Sequence, residues 1–92
     1  MTETVHRRLK IINEKGLHAR ASAKLVEVVE GFDASCEVTK DGHDASGDSI
    51  MGLLMLAASK GSEIEIDCRG ADAEALADAI EALVADYFGE GR

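Results

Sequence analysis

Glu63-Ile64-Glu65-Ile66-Asp67-Cys68 alternates charged and apolar residues without a break. A period of two places Ile64, Ile66 and Cys68 on one side of an extended chain and Glu63, Glu65 and Asp67 on the other. That is a strand with one face on a core and one in water. Asp72, a residue type that favours helix N-caps, then opens a helix whose apolar stripe reads Leu76, Ile80, Leu83 and Tyr87, with Gly89 as its stop. A strand with one dry face followed at once by a helix with one dry stripe means that helix packs on sheet.

Working outward, Val5 to Ile12 suits a first strand, with Leu9 and Ile11 facing inward, and Asn13-Glu14-Lys15-Gly16 is a turn. Helical spacing governs Ala19 to Glu30, where Ser22, Leu25, Val26 and Val29 share a face and Gly31 ends the run. Ser35 to Thr39 alternates again with Cys36 and Val38 inward, Asp41-Gly42 signals a hairpin, and His43 to Ser46 returns as a short strand. Ile50 to Ala58 reads as a short helix closed near Gly61. The order is β-α-β-β-α-β-α over a single domain, residues 1–92. Helices confined to one side of the strands give an α+β open-faced sandwich.

The chain has 92 residues, 46% hydrophobic and 30% charged, with a formal net charge of −8. A domain of this size buries only roughly 60–65% of its unfolded surface, which leaves no room for a deep cleft around a large substrate. Three aromatics (Phe32, Tyr87, Phe88) and an acidic balance make a poor nucleic-acid surface. Charge is uneven: residues 1–24 hold six basic groups against two acids, and the rest hold four against sixteen. The early segment is therefore either ordinary solvated surface or a face for an anion or acidic partner.

Cys36 and Cys68 lack a CxxC spacing or a histidine placed as a zinc partner, and each lies in an alternating apolar run, so they read as buried free thiols. His6 and His43 are isolated and read as solvent-facing; no metal site is expected. Met1 to Arg8 is polar with no apolar segment of signal-peptide type behind it, and Ile50 to Ala58 is about half of a membrane span. The expectation is a cytoplasmic protein with no direct membrane insertion.

Gly16-Leu17-His18-Ala19-Arg20 places a histidine where a turn meets a helix start. First-turn amides have no internal partners and carry positive partial charge, so an anionic group on His18 would meet N–H donors from Ala19 and Arg20. The same end disfavours imidazolium and keeps the ring nucleophilic. Arg20 offers a fork of donors for phosphoryl oxygens, and Gly16 permits close approach. These parts suit a nucleophile that accepts and returns a phosphoryl group; the plainer alternative is a histidine that caps the helix.

In Ser49-Ile50-Met51-Gly52-Leu53-Leu54-Met55-Leu56, apolar residues cover nearly the whole helix circumference. One face can sit on the sheet while the other docks partners, a use that suits methionine; the alternative is full burial. Ser49 is a preferred N-cap, and a phosphoserine there would be tolerated by the helix terminus.

With both motifs in place, the sequence resembles HPr, the histidine-containing phosphocarrier family of the bacterial phosphoenolpyruvate-dependent phosphotransferase system. Gly-Leu-His-Ala-Arg at 16–20 matches its active-site signature and Ser-Ile-Met-Gly at 49–52 its regulatory-serine signature, with 31 residues from His18 to Ser49. The resemblance implies a four-stranded antiparallel sheet with three helices on one face. It implies that His18 takes a phosphoryl group on Nδ1 from enzyme I and passes it to a histidine of an EIIA-type acceptor, without a cofactor. It implies that Arg20 and the backbone amides at the helix start, those of Ala19 and Arg20, assist, and that HPr kinase/phosphorylase modifies Ser49 where present. Docking would run through Ala19, Ala23, Met51, Leu53 and Leu54, on a carrier rather than an enzyme, most simply a monomer. Ala21 stands where many members have proline, and Ala-Arg-Ala-Ser together with Ser-Ile-Met-Gly-Leu-Leu-Met-Leu-Ala-Ala is similar to the nitrogen-related branch. The competing expectation is a non-catalytic interaction module switched at Ser49.

Overall fold

The computed structural model describes residues 3–92. Its strands are β1 (Glu3–Lys10), β2 (Ser35–Lys40), β3 (His43–Ser46) and β4 (Glu63–Gly70), joined by helices α1 (Ala19–Glu30), α2 (Ile50–Met55) and α3 (Ala73–Ala85). The sheet order is β1-β4-β2-β3 with every neighbouring pair antiparallel. β4 is thus a central strand. Ile64, Ile66 and Cys68 are fully buried, as the alternation requires. The expected open-faced α+β sandwich is the observed fold.

One apolar cluster joins sheet and helices: Leu9, Ile11, Val38, Ile64 and Ile66 from the strands and their flanks meet Leu25, Val29, Leu76 and Ile80 from α1 and α3. The β2–β3 hairpin turns through Asp41 (φ 50°) and Gly42 (φ 80°), the pair of left-handed residues that a two-residue turn needs to match strand twist. Cys36 lies directly opposite Cys68, and both thiols are buried and free. Among the described residues, no helix is long and apolar enough to cross a membrane.

Four local expectations are corrected. β1 spans Glu3–Lys10 rather than Val5–Ile12, because beyond Lys10 the partner is the turn before β4: Ile11 N–H donates to Ser62 O (2.8 Å) and Ile11 O accepts from Gly61 N–H (2.7 Å). α2 stops at Met55 rather than Ala58. Ala57 turns left-handed (φ 52°), and Ala58, now outside the helix, accepts the Leu17 N–H at 2.8 Å. Asp72 occupies the α3 N-cap position, but its carboxylate accepts the Asp33 N–H (2.8 Å) instead of capping. Finally, α3 ends at Ala85, and the chain turns left-handed through Tyr87, Phe88 and Gly89. Val84 completes the buried stripe, Tyr87 is exposed, and Phe88 swings into the core.

His6 is exposed but not isolated. Its Nδ1 meets Asp67 Oδ1 at 2.8 Å and its Nε2 meets Glu65 Oε1 at 3.0 Å, since the β1–β4 register sets it beside both carboxylates. Those contacts, the Asp67 hydrogen bond foremost, outweigh the opposing effect of desolvation and raise its pKa above the ordinary histidine value.

Candidate functional site

The loop before α1 is built on Gly16. Its φ of +65° is left-handed, and a Cβ there would stand 2.5 Å from Ala58 O and 2.8 Å from Ser59 Cα. The close approach that demands glycine is therefore that of the Ala58–Ser59 backbone, and not of a ligand as the sequence suggested. It allows Leu17 N–H to reach Ala58 O, buries Leu17, and ties this loop to the end of α2. Ser22, fully buried, adds a hydroxyl bond to Leu17 O at 3.3 Å.

His18 follows as the N-cap of α1, in extended conformation (φ −78°, ψ −176°), with no capping bond from its side chain. The cap role alone does not account for the ring. The first intrahelical bond runs from Ser22 N–H to His18 O (2.8 Å), so the amides of Ala19, Arg20 and Ala21 have no intrahelical partner. Ala19 and Arg20 are exposed beside them. Among the described residues, Arg20 forms no ion pair, which leaves its guanidinium available to an incoming anion. His18, Arg20, Lys15, Lys24 and Arg92 share an open cleft of about 330 Å³ with Glu14 and Glu90. Cations outnumber carboxylates there, on a protein that is acidic overall.

Sequence reasoning missed two residues. Glu90 places one carboxylate oxygen on His18 Nε2, and its other oxygen accepts from Asn13 Nδ2 at 2.9 Å. Asn13, fully buried, also donates to Gly16 O at 2.8 Å. Burial pushes the Glu90 carboxyl up, but hydrogen bonds from Asn13 and His18, with the charges of His18 and Lys15, hold it below its usual range. Nothing in the sequence pattern flags a contact between positions 18 and 90. Asn13 stands in a stretch that reads only as a turn, and its burial is decided by the tertiary structure.

The second motif lies on α2. Ser49 is its N-cap, and Oγ accepts the Gly52 N–H at 3.0 Å, as its residue type anticipates. Ile50, Met51 and Met55 are exposed, Met51 at 70% and Met55 at 82%, while Leu54 is half-buried. Leu53 is fully buried and Leu56 nearly so. Leu53 is therefore removed from the docking set: the face that rests on the fold takes it as a core residue. Ala19 remains exposed and Ala23 half-buried on α1, which packs against α2. A shallow depression lined by Lys15, Leu17, His18, Leu54, Ala57 and Ser59 joins the two motifs into one surface.

Residues 5–86 match the family model PTS-HPr, described as the PTS HPr component phosphorylation site. The chain belongs to the PTS-HPr family. "Phosphocarrier protein HPr" of Neisseria meningitidis serogroup A is 47% identical over 83 residues, 90% of this chain and 93% of that one. "Phosphocarrier protein NPr" of Escherichia coli K12 is 39% identical over 88 residues, 95% and 98% of the two chains. Among solved structures, HPr-C-His from Thermoanaerobacter tengcongensis superposes with a TM-score of 0.89 at 32% identity, covering 94% of this chain and 97% of the other. The expected family is thus found, with relatives of both the HPr and NPr names. Membership in a phosphocarrier family of the phosphotransferase system supports a phosphocarrier role for this member.

Proposed function

We propose that this HPr-family chain, acting as one unit over residues 1–92, accepts a phosphoryl group on His18 from phosphorylated enzyme I and delivers it to a histidine of an EIIA-type acceptor. The observation that carries this reading is the ring's engagement: Glu90 occupies Nε2 at the mouth of a cationic cleft, so Nδ1 is the nitrogen left for attack. The amides of Ala19 and Arg20 and the Arg20 guanidinium supply charge-assisted donors for the phosphoryl oxygens. The site is shallow, and the exposed side chains Ile50, Met51 and Met55, with half-buried Leu54, provide an apolar rim for docking. A carrier must give its group away, and an open site beside an apolar rim suits exchange between two partners.

Ser49 is the regulatory candidate. A phosphoryl group on Oγ would place about two negative charges at the start of α2, beside the docking rim, and weaken partners that are acidic or apolar there. The runner-up reading, an interaction module switched at Ser49 without chemistry at His18, draws on the same exposed helix.

The test is incubation with enzyme I and phosphoenolpyruvate, read by intact mass and acid lability, then transfer to EIIA proteins of the sugar and nitrogen-related kinds. One acid-labile phosphoryl group, absent from His18→Ala, is the expected result. Unmodified protein beside a competent enzyme I would leave only the interaction module, in which Ser49→Asp alone changes partner binding.

A further inference from the structure

We propose that Glu90, itself aligned by Asn13, dictates which ring nitrogen of His18 carries the proton and so which one can take a phosphoryl group. The inference rests on the carrier reading for its catalytic consequence, but its structural half stands on the local hydrogen bonds alone.

Asn13 is the fixed point. Its two N–H groups are both committed, to Gly16 O at 2.8 Å and to Glu90 Oε1 at 2.9 Å, while its Oδ1 has no partner. Turning the amide over would set Oδ1 against a carbonyl and a carboxylate at once, two acceptor–acceptor contacts. The Gly16 carbonyl therefore locks Asn13 as a donor toward Glu90. An ionised carboxylate is acceptor-only, so its second oxygen, on His18 Nε2, requires the proton to sit at Nε2. In the neutral ring Nδ1 then keeps its lone pair.

Glu90 reaches this position through an unusual backbone. Tyr87 (φ 56°), Phe88 (φ 53°) and Gly89 (φ 76°) are left-handed in succession, a path that side-chain-bearing residues rarely follow. It is held from both sides. Phe88 is fully buried, and Lys24 Nζ donates to Phe88 O at 2.6 Å, so a core residue and a helix α1 cation clamp the turn that aims Glu90.

The consequence is a transfer without proton traffic at the ring. The Nδ1 lone pair forms the N–P bond as the bond from phosphorus to the donor breaks, its electron pair leaving with the donor. The ring becomes an imidazolium whose Nε2–H already faces Glu90. On delivery the N–P pair returns to Nδ1 and the Nε2 proton is unmoved. Glu90 acts as a positioning residue, working through His18 rather than on phosphorus.

Glu90→Gln tests this with almost no change of shape. The new amide has one oxygen, and the locked Asn13 donor claims it, so the NH₂ must face Nε2. Nε2 becomes an acceptor and the proton moves to Nδ1, blocking the nucleophile. The expected result is inversion of the His18 tautomer in ¹⁵N ring spectra of the neutral ring, with phosphorylation by enzyme I slowed on the order of 10²-fold or more, as for catalytic histidines held in the wrong tautomer. Glu74→Gln, the same charge change at an exposed position of α3, should match the parent in both readouts, and backbone amide spectra confirm that the fold is kept. An unchanged tautomer, or an inverted tautomer with the parental rate, overturns the proposal. Failure of the parent chain to accept any phosphoryl group overturns the carrier reading instead, and the tautomer measurement still decides the role of Glu90.

Discussion

Two glycine-to-alanine substitutions separate backbone strain from collision. Gly42 and Gly16 are both left-handed, at φ +80° and +65°, but a Cβ at Gly42 meets nothing within 4 Å while one at Gly16 meets Ala58 O at 2.5 Å and Ser59 Cα at 2.8 Å. Gly42→Ala should cost only the left-handed penalty for an L residue, roughly 1–2 kcal/mol. Gly16→Ala carries that penalty and must also push apart two backbone segments. The collision breaks the Leu17–Ala58 hydrogen bond and leaves a buried donor and acceptor without their partners, which costs about 1–3 kcal/mol more. The expected total is about 2–5 kcal/mol, a large part of a small domain's stability. Urea unfolding followed by far-UV circular dichroism measures both variants. The difference in unfolding free energy between them isolates the collision, and an unchanged slope would show that the unfolded reference is shared. Because this contact joins the His18 loop to the end of α2, Gly16→Ala should also slow phosphorylation of protein that remains folded. If Gly16→Ala proves no more destabilising than Gly42→Ala, the packing argument for the loop is wrong.

Leu53→Ala should destabilise by about 2–5 kcal/mol as a fully buried side chain, whereas Met51→Ala should change stability by less than about 0.5 kcal/mol and weaken partner docking; thermal melts and titration with enzyme I check the pair. Burial raises both thiols, Cys36 far above its ordinary value with the neighbouring Cys68 adding to it, so neither should react with maleimide in the native protein and both should react in urea; rapid native labelling would contradict that burial. His6 has a raised folded-state pKa, so its contribution to stability is complete below the ordinary value of 6.5 and fades as pH climbs through the raised one. The stability gap between the parent and His6→Gln should accordingly narrow above pH 6.5, and a gap that widens with pH would reverse the assigned charge of the ring.

Much of the architecture was legible locally because local periodicity is what decides it. The alternation of Glu63–Cys68 could serve only a half-buried strand, and Asp41-Gly42 needed no tertiary help to make its turn. Position in the chain likewise put His18 at a helix start and Ser49 at a cap, since both depend on the break between loop and helix. What the sequence could not show was decided by contacts across long separations. The circumference of α2 is apolar nearly all round, and only its packing against α1 and β3 chose Leu53 to bury and Met51 and Met55 to expose. Tyr87 and Phe88 are neighbours of similar type, and periodicity favoured the first; the left-handed turn after α3 reversed that choice by rotating Phe88 into the core. The pairing of His18 with Glu90 crosses 72 residues and is absent from any local pattern. By itself the sequence determined the order of the elements, the sheet with helices on one face, and the place of His18 at a helix start. The tertiary structure alone decided which groups surround that histidine, because hydrogen bonds and collisions act through space and not along the chain.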